Sequence, residues 1–252
     1  MKLTILGCNT YEPIADRNCS GYLIQTNNKN IIFDLGRGTF NELLRMNFDY
    51  RDIDAIFISH GHADHFTDLA LFLHVSIYEP YNMLRYKELK IFVPKGFKKN
   101  IENILDGFNF DINFTKNKIS VFEFELNEIN IDNVFIKPHL VNHSDKFDCY
   151  GFRLKSNDKI FSYTGDCSYS DSLIKLAENS DLFLSDATDC DEKNKGNHLS
   201  GNDAGIVAKN SNTKHLVLTH VRNYYKKDVV NDAKKEFDGK ITLAKDSMEI
   251  DI

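Results

Sequence analysis

The chain has 252 residues, 42% of them hydrophobic, enough to bury a substantial core and suited to one large α/β domain. Its 37 acidic residues outnumber its 31 basic ones, for a formal net charge of -6, so no global positive field draws it to nucleic acid or to an anionic membrane. Five scattered cysteines, Cys8, Cys19, Cys149, Cys167 and Cys190, form no C-x-x-C pair and leave one over, which suits the reducing cytoplasm better than a disulfide framework.

The opening MKLTILGCNTYEP has too short an apolar run for a signal peptide, and no later run approaches membrane-spanning length, so a soluble protein is expected. Apolar or alternating runs predict strands at Leu3 to Leu6, Tyr22 to Gln25, Ile31 to Asp34, Ala55 to Ile58, Ile91 to Val93 and Val121 to Glu125. Further strands are predicted at Val134 to Lys137, Tyr150 to Leu154, Ile160 to Tyr163, Leu182 to Ser185 and Leu216 to Thr219. Helical periodicity falls between them, at Thr39 to Arg45, Thr67 to Ile77, Lys98 to Leu105, Asp171 to Ala177, Asn202 to Asn210 and Asp228 to Phe237. Ser200, with Asp203 three residues on, supplies a capping signal for the fifth of these helices. No linker, Pro-rich hinge or repeat divides the chain, so residues 1–252 read as a single domain of mixed sheets with helices packed outside.

The densest polar cluster lies in IFISHGHADHF, residues 56–66, in the loop between the strand ending at Ile58 and the helix expected from Thr67. Three of the chain's nine histidines and one aspartate stand there as H-x-H-x-D-H. A solvated turn needs an Asp or a Gly but has no use for three histidines. Neutral imidazoles at His60, His62 and His65, beside the carboxylate of Asp64, are ligands that zinc accepts, and the end of a buried strand is where an α/β scaffold presents chemistry.

This motif resembles the signature of the metallo-β-lactamase-fold hydrolases, and other segments match that family in order over almost the whole chain. LGCNTYEPIADRNCSGYLI resembles its opening strand, turn and second strand, and IIFDLGRGTFNELL its Asp-x-Gly segment. VNHS resembles the source of the third metal-binding histidine, YTGDC of the bridging aspartate and LVLTHV of the last histidine. The resemblance implies a four-layer αβ/βα sandwich with two mixed β-sheets. It also implies two divalent metal ions, zinc first, with manganese or iron as alternatives. His60, His62 and His143 would hold one, Asp64, His65 and His220 the other, and Asp166 would bridge them. His139 competes with His143, because both lie in KPHLVNHSD; the N-H dipeptide and the following YGFRL strand favour His143. Cys167, His74 and His215 are read as structural residues.

FLSDATD and GNHLSGNDAGIVAKN resemble segments of the ribonuclease Z-like and phosphodiesterase-like branches, in which a histidine sits beside the reacting phosphate. That histidine would be His198, steadied from behind by Asp186, where the family more often has Glu. The resemblance thus implies a phosphodiesterase acting on a small or nucleotide-like diester. Metal-bound hydroxide would attack phosphorus, Asp64 would orient it, and His198 would stabilise charge or protonate the leaving oxygen. The alternatives are hydrolysis of a lactone, ester or thioester on the same fold, or a non-catalytic metal-binding regulatory role. A glyoxalase II-like enzyme is disfavoured, because the chain after His220 leaves no room for a helical substrate domain. Precursor tRNA is not an expected partner. SDKFDCYGFRLKSNDKIFSYTGD, between His143 and Asp166, is consumed by two strands and their turn and has no room for the family's basic tRNA-gripping arm. No membrane partner is expected, and a homodimer is left open.

Overall fold

Every run expected as a strand pairs in the computed structural model, which describes residues 1–78, 87–109, 119–189 and 196–252. One seven-stranded sheet contains β1 (Lys2–Gly7), β2 (Gly21–Thr26), β3 (Lys29–Leu35), β4 (Ala55–Phe57), β5 (Leu89–Val93), β6 (Ile119–Glu123) and β14 (Glu249–Asp251), in the order β14-β1-β2-β3-β4-β5-β6. The second, also seven-stranded, contains β7 (Ile129–Ile131), β8 (Val134–Val141), β9 (Cys149–Ser156), β10 (Lys159–Tyr163), β11 (Leu182–Asp186), β12 (His215–Thr219) and β13 (Lys240–Leu243), in the order β13-β12-β11-β10-β9-β8-β7. Both sheets are mixed. β3 through β6 run parallel while β14, β1, β2 and β3 alternate; likewise β10 through β13 run parallel while β7 through β10 alternate. The strands β7, β13 and β14, which periodicity misses, are three or four residues long and owe their conformation to β8, β12 and β1 beside them.

The inner faces of the sheets meet in an aromatic core in which Phe33 lies 5.2 Å from Phe152 and 5.7 Å from Phe161, ring to ring. Helices α1 (Thr39–Arg45), α2 (Ala63–Tyr78) and α3 (Phe97–Gly107) cover the outer face of the first sheet, with Leu69, Phe72 and Ile101 packed onto Ile32 and Ile56. α4 (Ser172–Ala177), α5 (Gly201–Asn210) and α6 (Val229–Lys234) cover the second in the same way, through Leu176, Val207 and Ala233. The result is the four-layer sandwich that the family resemblance implies. Its central strands are buried on both faces, which is why they read as unbroken apolar runs. No helix among the described residues is long and apolar enough to cross a membrane.

Among the helices, two boundaries differ most from expectation. α6 is shorter than the Asp228 to Phe237 pattern, and α2 begins at Ala63 rather than Thr67, so Asp64 and His65 belong to its first turn and not to the preceding loop. A carboxylate is favoured near the positive end of a helix, which explains how polar residues that look like loop can open one. The capping box at Ser200 and Asp203 forms as read.

The start of α2 is tied to the end of β3 by a close backbone approach. A Cβ on Gly36 would lie 1.9 Å from the Asp64 carbonyl oxygen, so only glycine lets the two segments meet. Gly36→Ala is expected to lower unfolding free energy by about 1 to 3 kcal/mol in urea denaturation, the usual cost of forcing packed backbone apart; an unchanged midpoint would show that the contact is dispensable.

Candidate metal centre

The carboxyl ends of β3, β4, β8, β10, β11 and β12 deliver Asp34, His60, His143, Asp166, Asp186 and His220 to one edge of the sandwich. β8 ends at Val141, so of the two competing histidines His139 lies within the strand and His143 beyond it. His139 shares a face with Lys137, feels the charges of Lys137, Arg153 and Lys175, and is held by burial and those charges down at about 4. His143, beyond the strand end, joins the cluster.

Two groups of donor atoms are built from the seven expected positions, and a third, Asp166, Asp186, His198 and His220, overlaps them. In the first, His62 Nδ1 lies 3.0 Å from both His60 Nε2 and His143 Nε2, and Asp166 Oδ2 lies 3.8 Å from each of those Nε2 atoms. In the second, His65 Nε2 stands 3.2 Å from Asp166 Oδ2 and 3.8 Å from Asp64 Oδ2, and His220 Nε2 stands 3.3 Å from Asp64 Oδ2. Asp166 faces both groups, and its Oδ1 is 3.5 Å from His220 Nδ1. All seven metal-ligand positions read from the sequence are therefore brought together. Cys167 packs in the apolar layer under α4, and His215 Nε2 is paired with Thr242 Oγ1 at 2.8 Å, away from the cluster. Cys190 lies outside the described residues.

The surroundings set which nitrogen of each ring is free. Asp34, fully buried, accepts from the Ser59 amide (2.7 Å), the Ser59 hydroxyl (2.8 Å), His65 Nδ1 (2.8 Å) and the Tyr163 hydroxyl (2.7 Å). Because the Ser59 hydroxyl donates to Asp34, it accepts from His60 Nδ1 at 3.0 Å, so His60 and His65 both present bare Nε2 atoms. His143 Nδ1 donates to the Asn197 carbonyl at 2.8 Å with the same effect. His220 Nδ1 meets the Thr188 hydroxyl at 2.7 Å, and that hydroxyl is 2.6 Å from Asp186 Oδ1. Asp34 and Thr188 lie in IIFDLGRGTFNELL and FLSDATD, and the sequence alone assigns neither a role. The available signal was an acid ending an otherwise apolar strand.

Backbone strain accompanies the geometry. Asp34 and His220, both buried, hold left-handed φ angles of 59° and 55°. Gly165, before Asp166, has φ 62°, and a Cβ there would lie 2.6 Å from the Tyr150 carbonyl oxygen.

The donor set fits a divalent cation. Tetrahedral ligands about 2.0 to 2.1 Å from zinc lie roughly 3.3 Å from one another, close to the separations within each group. His65 Nε2 and Asp166 Oδ1 are buried polar atoms with no hydrogen-bond partner, an arrangement that is costly unless a cation takes the lone pairs. The field points the same way. Burial would lower His220 and His65, yet Asp166 and its neighbouring carboxylates drive His220 up to about 10 and His65 well above the ordinary imidazole range. Asp64 falls to about 2 against its own burial, through His65 and His220. His60 and His62, farther from the acids, are held low by burial and so stay neutral.

Beside both groups stands His198. Its Nδ1 lies 2.9 Å from Asp186 Oδ2, and its ring lies 4.8 Å from that of His143 and 5.4 Å from that of His220. The shorter aspartate at 186 does reach, because the same Oδ2 also accepts from the amides of Cys167 (3.2 Å) and Leu199 (3.4 Å), which hold it close.

A sandwich edge that gathers buried imidazoles and carboxylates around bare donor atoms defines a metal-dependent hydrolase of the metallo-β-lactamase fold. Residues 29–221 match the family described as the beta-lactamase superfamily domain, and the chain belongs to that superfamily. The probable metallo-hydrolase YhfI of Bacillus subtilis (strain 168) is 27% identical, covering 97% of each chain. Its crystal structure superposes with a TM-score of 0.86 at 23% identity, covering 99% of this chain and 98% of that one. Ribonuclease Z of Archaeoglobus fulgidus is 24% identical over 100% of this chain and 97% of its own length. The short form of human tRNase Z superposes with a TM-score of 0.79 at 23% identity, covering 100% and 99% of the two chains. The chain is thus similar over nearly its whole length both to a probable metallo-hydrolase and to ribonuclease Z.

Because Asp166 faces both groups, Asp166→Ala is expected to lower bound metal more than any other single ligand change, as read by elemental analysis of purified protein. Full occupancy would remove Asp166 from the centre. Asp34→Ala should weaken metal affinity roughly 10- to 100-fold in a chelator competition, the scale for losing a partner that orients a ligand; parental affinity would leave Asp34 a purely structural acid.

Proposed function

We propose that the protein is a phosphodiesterase that acts on a small or nucleotide-like diester with two divalent cations, zinc first among them. The observation that carries this reading is the His198 and Asp186 pair, which stands at 2.9 Å beside the donor groups without belonging to the sets built around His62 or His65. A carboxylate-backed histidine in that position suits a reaction that leaves a charged oxygen needing a proton. The ribonuclease Z names carried by relatives support a phosphodiester over a carbon ester.

In this reading His60, His62 and His143 would hold one cation and Asp64, His65 and His220 the other, and Asp166 would serve both. When bound, the cations would supply Lewis-acid polarisation of the phosphoryl oxygens and activation of a water. Asp64 accepts a hydrogen bond from the attacking water and so aims it at phosphorus. His198 keeps Nδ1 on Asp186, which leaves Nε2 to hold the proton delivered to the departing oxygen. Burial alone would lower His198, but the charge of Asp186 outweighs it and raises the imidazole above its ordinary range, as a proton donor requires. The four described cysteines are buried free thiols, which supports a reducing compartment and hence the cytoplasm.

His198→Ala is expected to leave metal content near the parental level while cutting turnover of a nitrophenyl phosphodiester roughly 100-fold or more, the scale for a general acid. Equal turnover in the two proteins, or faster hydrolysis of a lactone or thioester than of any diester by the parent, would overturn the reading. Precursor tRNA is expected to go untrimmed at physiological salt, since β9 and β10 fill most of the interval between His143 and Asp166. Accurate trimming at low enzyme concentration would count against a small substrate.

A further inference from the structure

The loop after β1 and the loop after β12 are stitched together beside His220. The His220 amide donates to the Cys8 carbonyl at 3.1 Å, Arg17 Nη2 donates to the same oxygen at 3.5 Å, and the Asn223 amide donates to Glu12 Oε2 at 3.4 Å. Arg222, two residues beyond His220 in the sequence, donates from Nη1 to the Tyr224 hydroxyl at 3.5 Å. Its charge is also felt by Tyr11 and Asp189.

Neither guanidinium charge is met by a direct carboxylate contact among the described residues. Arg17 Nη1 and Arg222 Nε are buried atoms without a hydrogen-bond partner. The carboxylates nearby are committed to backbone: Asp246 accepts from the amides of Cys8 (3.1 Å) and Asn18 (2.8 Å), and Glu12 from Asn223. Beside these cations, Tyr11 is 67% and Tyr224 62% exposed, the two most exposed large hydrophobic side chains among the described residues. Tyrosines are ordinarily enriched where one face of the ring is covered, so two bare rings next to under-used arginines call for a ligand that is flat at one end and anionic at the other.

We propose that Tyr11 and Tyr224 form a stacking surface for the base of a nucleotide, and that Arg17 and Arg222 take phosphate oxygens of the same molecule. This rests on the phosphodiesterase reading and narrows it from small diesters in general to those that bear an aromatic base. Bases of any identity present a π-face, so such a surface selects for a base without selecting strongly among bases. Arginine suits the second role because its planar fork meets phosphate in a bidentate way that a lysine cannot. Lys226 adds positive charge behind the pair; burial and the charge of Arg17 hold it below the usual lysine range.

The test is calorimetric binding of adenosine monophosphate and of ribose 5-phosphate to the metal-loaded, full-length protein. The parent is expected to prefer adenosine monophosphate by roughly 5- to 100-fold, the scale of one base stacked on an aromatic ring. Replacing both Tyr11→Ala and Tyr224→Ala should abolish that preference, Tyr224→Phe should retain most of it, and Arg222→Ala should weaken both ligands together. Metal content and thermal unfolding, expected to match the parent, establish that each variant is folded. Equal binding of the two ligands by the parent, or a preference that survives loss of both rings, would overturn the proposal. Selective binding by a protein that cleaves no phosphodiester would leave the surface standing and remove the activity; cleavage of diesters without base preference would do the reverse.

Discussion

The buried carboxylate of Asp34 is the constraint on which the rest of the site depends. Taking an ion out of water costs several kcal/mol even after relaxation, so such a group survives only when its lone pairs are well satisfied. Four donors meet it, and they come from three places: Ser59 beyond β4, His65 in the first turn of α2, and Tyr163 at the end of β10 in the opposite sheet. One anion therefore fixes the register between the two sheets at the reactive edge and also orients two imidazoles, His65 directly and His60 through the Ser59 hydroxyl. A second cross-sheet contact, Tyr22 to Thr219 at 2.8 Å, lies alongside, with the Tyr22 and Tyr163 rings 4.9 Å apart. The edge is thus held by hydrogen bonds of defined direction, whereas the middle of the sandwich is held by non-directional aromatic packing.

Asp64, Asp166 and Asp186 add further negative charge within the same small volume, and that explains the division among the histidines. Rings next to the acids, His65 and His220, are driven toward holding protons, while His60 and His62 are kept neutral by burial. A divalent cation resolves both conditions at once, since it neutralises the carboxylates and uses the bare nitrogens. His198 stands outside the sets built around His62 and His65, with its Nδ1 held by Asp186, which in turn accepts from two amides. That distinction underlies its separate role in the proposed reaction.

The open loops around Arg17 and Arg222 contrast with this tightly determined edge. The strands and the cation-binding set are specified many times over by packing and hydrogen bonds, whereas exposed tyrosines and partnerless guanidinium N–H groups are what a scaffold carries where selection acts on a ligand. A rigid reactive edge with variable loops above it is how one fold serves several substrates.

The sequence by itself determined most of the strands and the histidines and aspartates that the fold gathers at one edge. Eleven apolar runs became strands because a strand buried on both faces must be apolar throughout, and H-x-H-x-D-H announced a cation site because no turn needs three histidines. Short strands such as β7, β13 and β14 were illegible, since three or four residues carry no period and take their form from neighbours distant in sequence. The start of α2 at Ala63 was hidden for a related reason: helix geometry there serves the ligands and contradicts the polar, loop-like composition. The choice between His139 and His143 was open in the sequence and was decided by where β8 ends: His139 stays within the strand beside Lys137, and His143, past Val141, joins the cluster. Asp34 and Thr188 gained their roles only when strands from two sheets met, because a hydrogen bond's worth depends on a partner whose place periodicity does not encode.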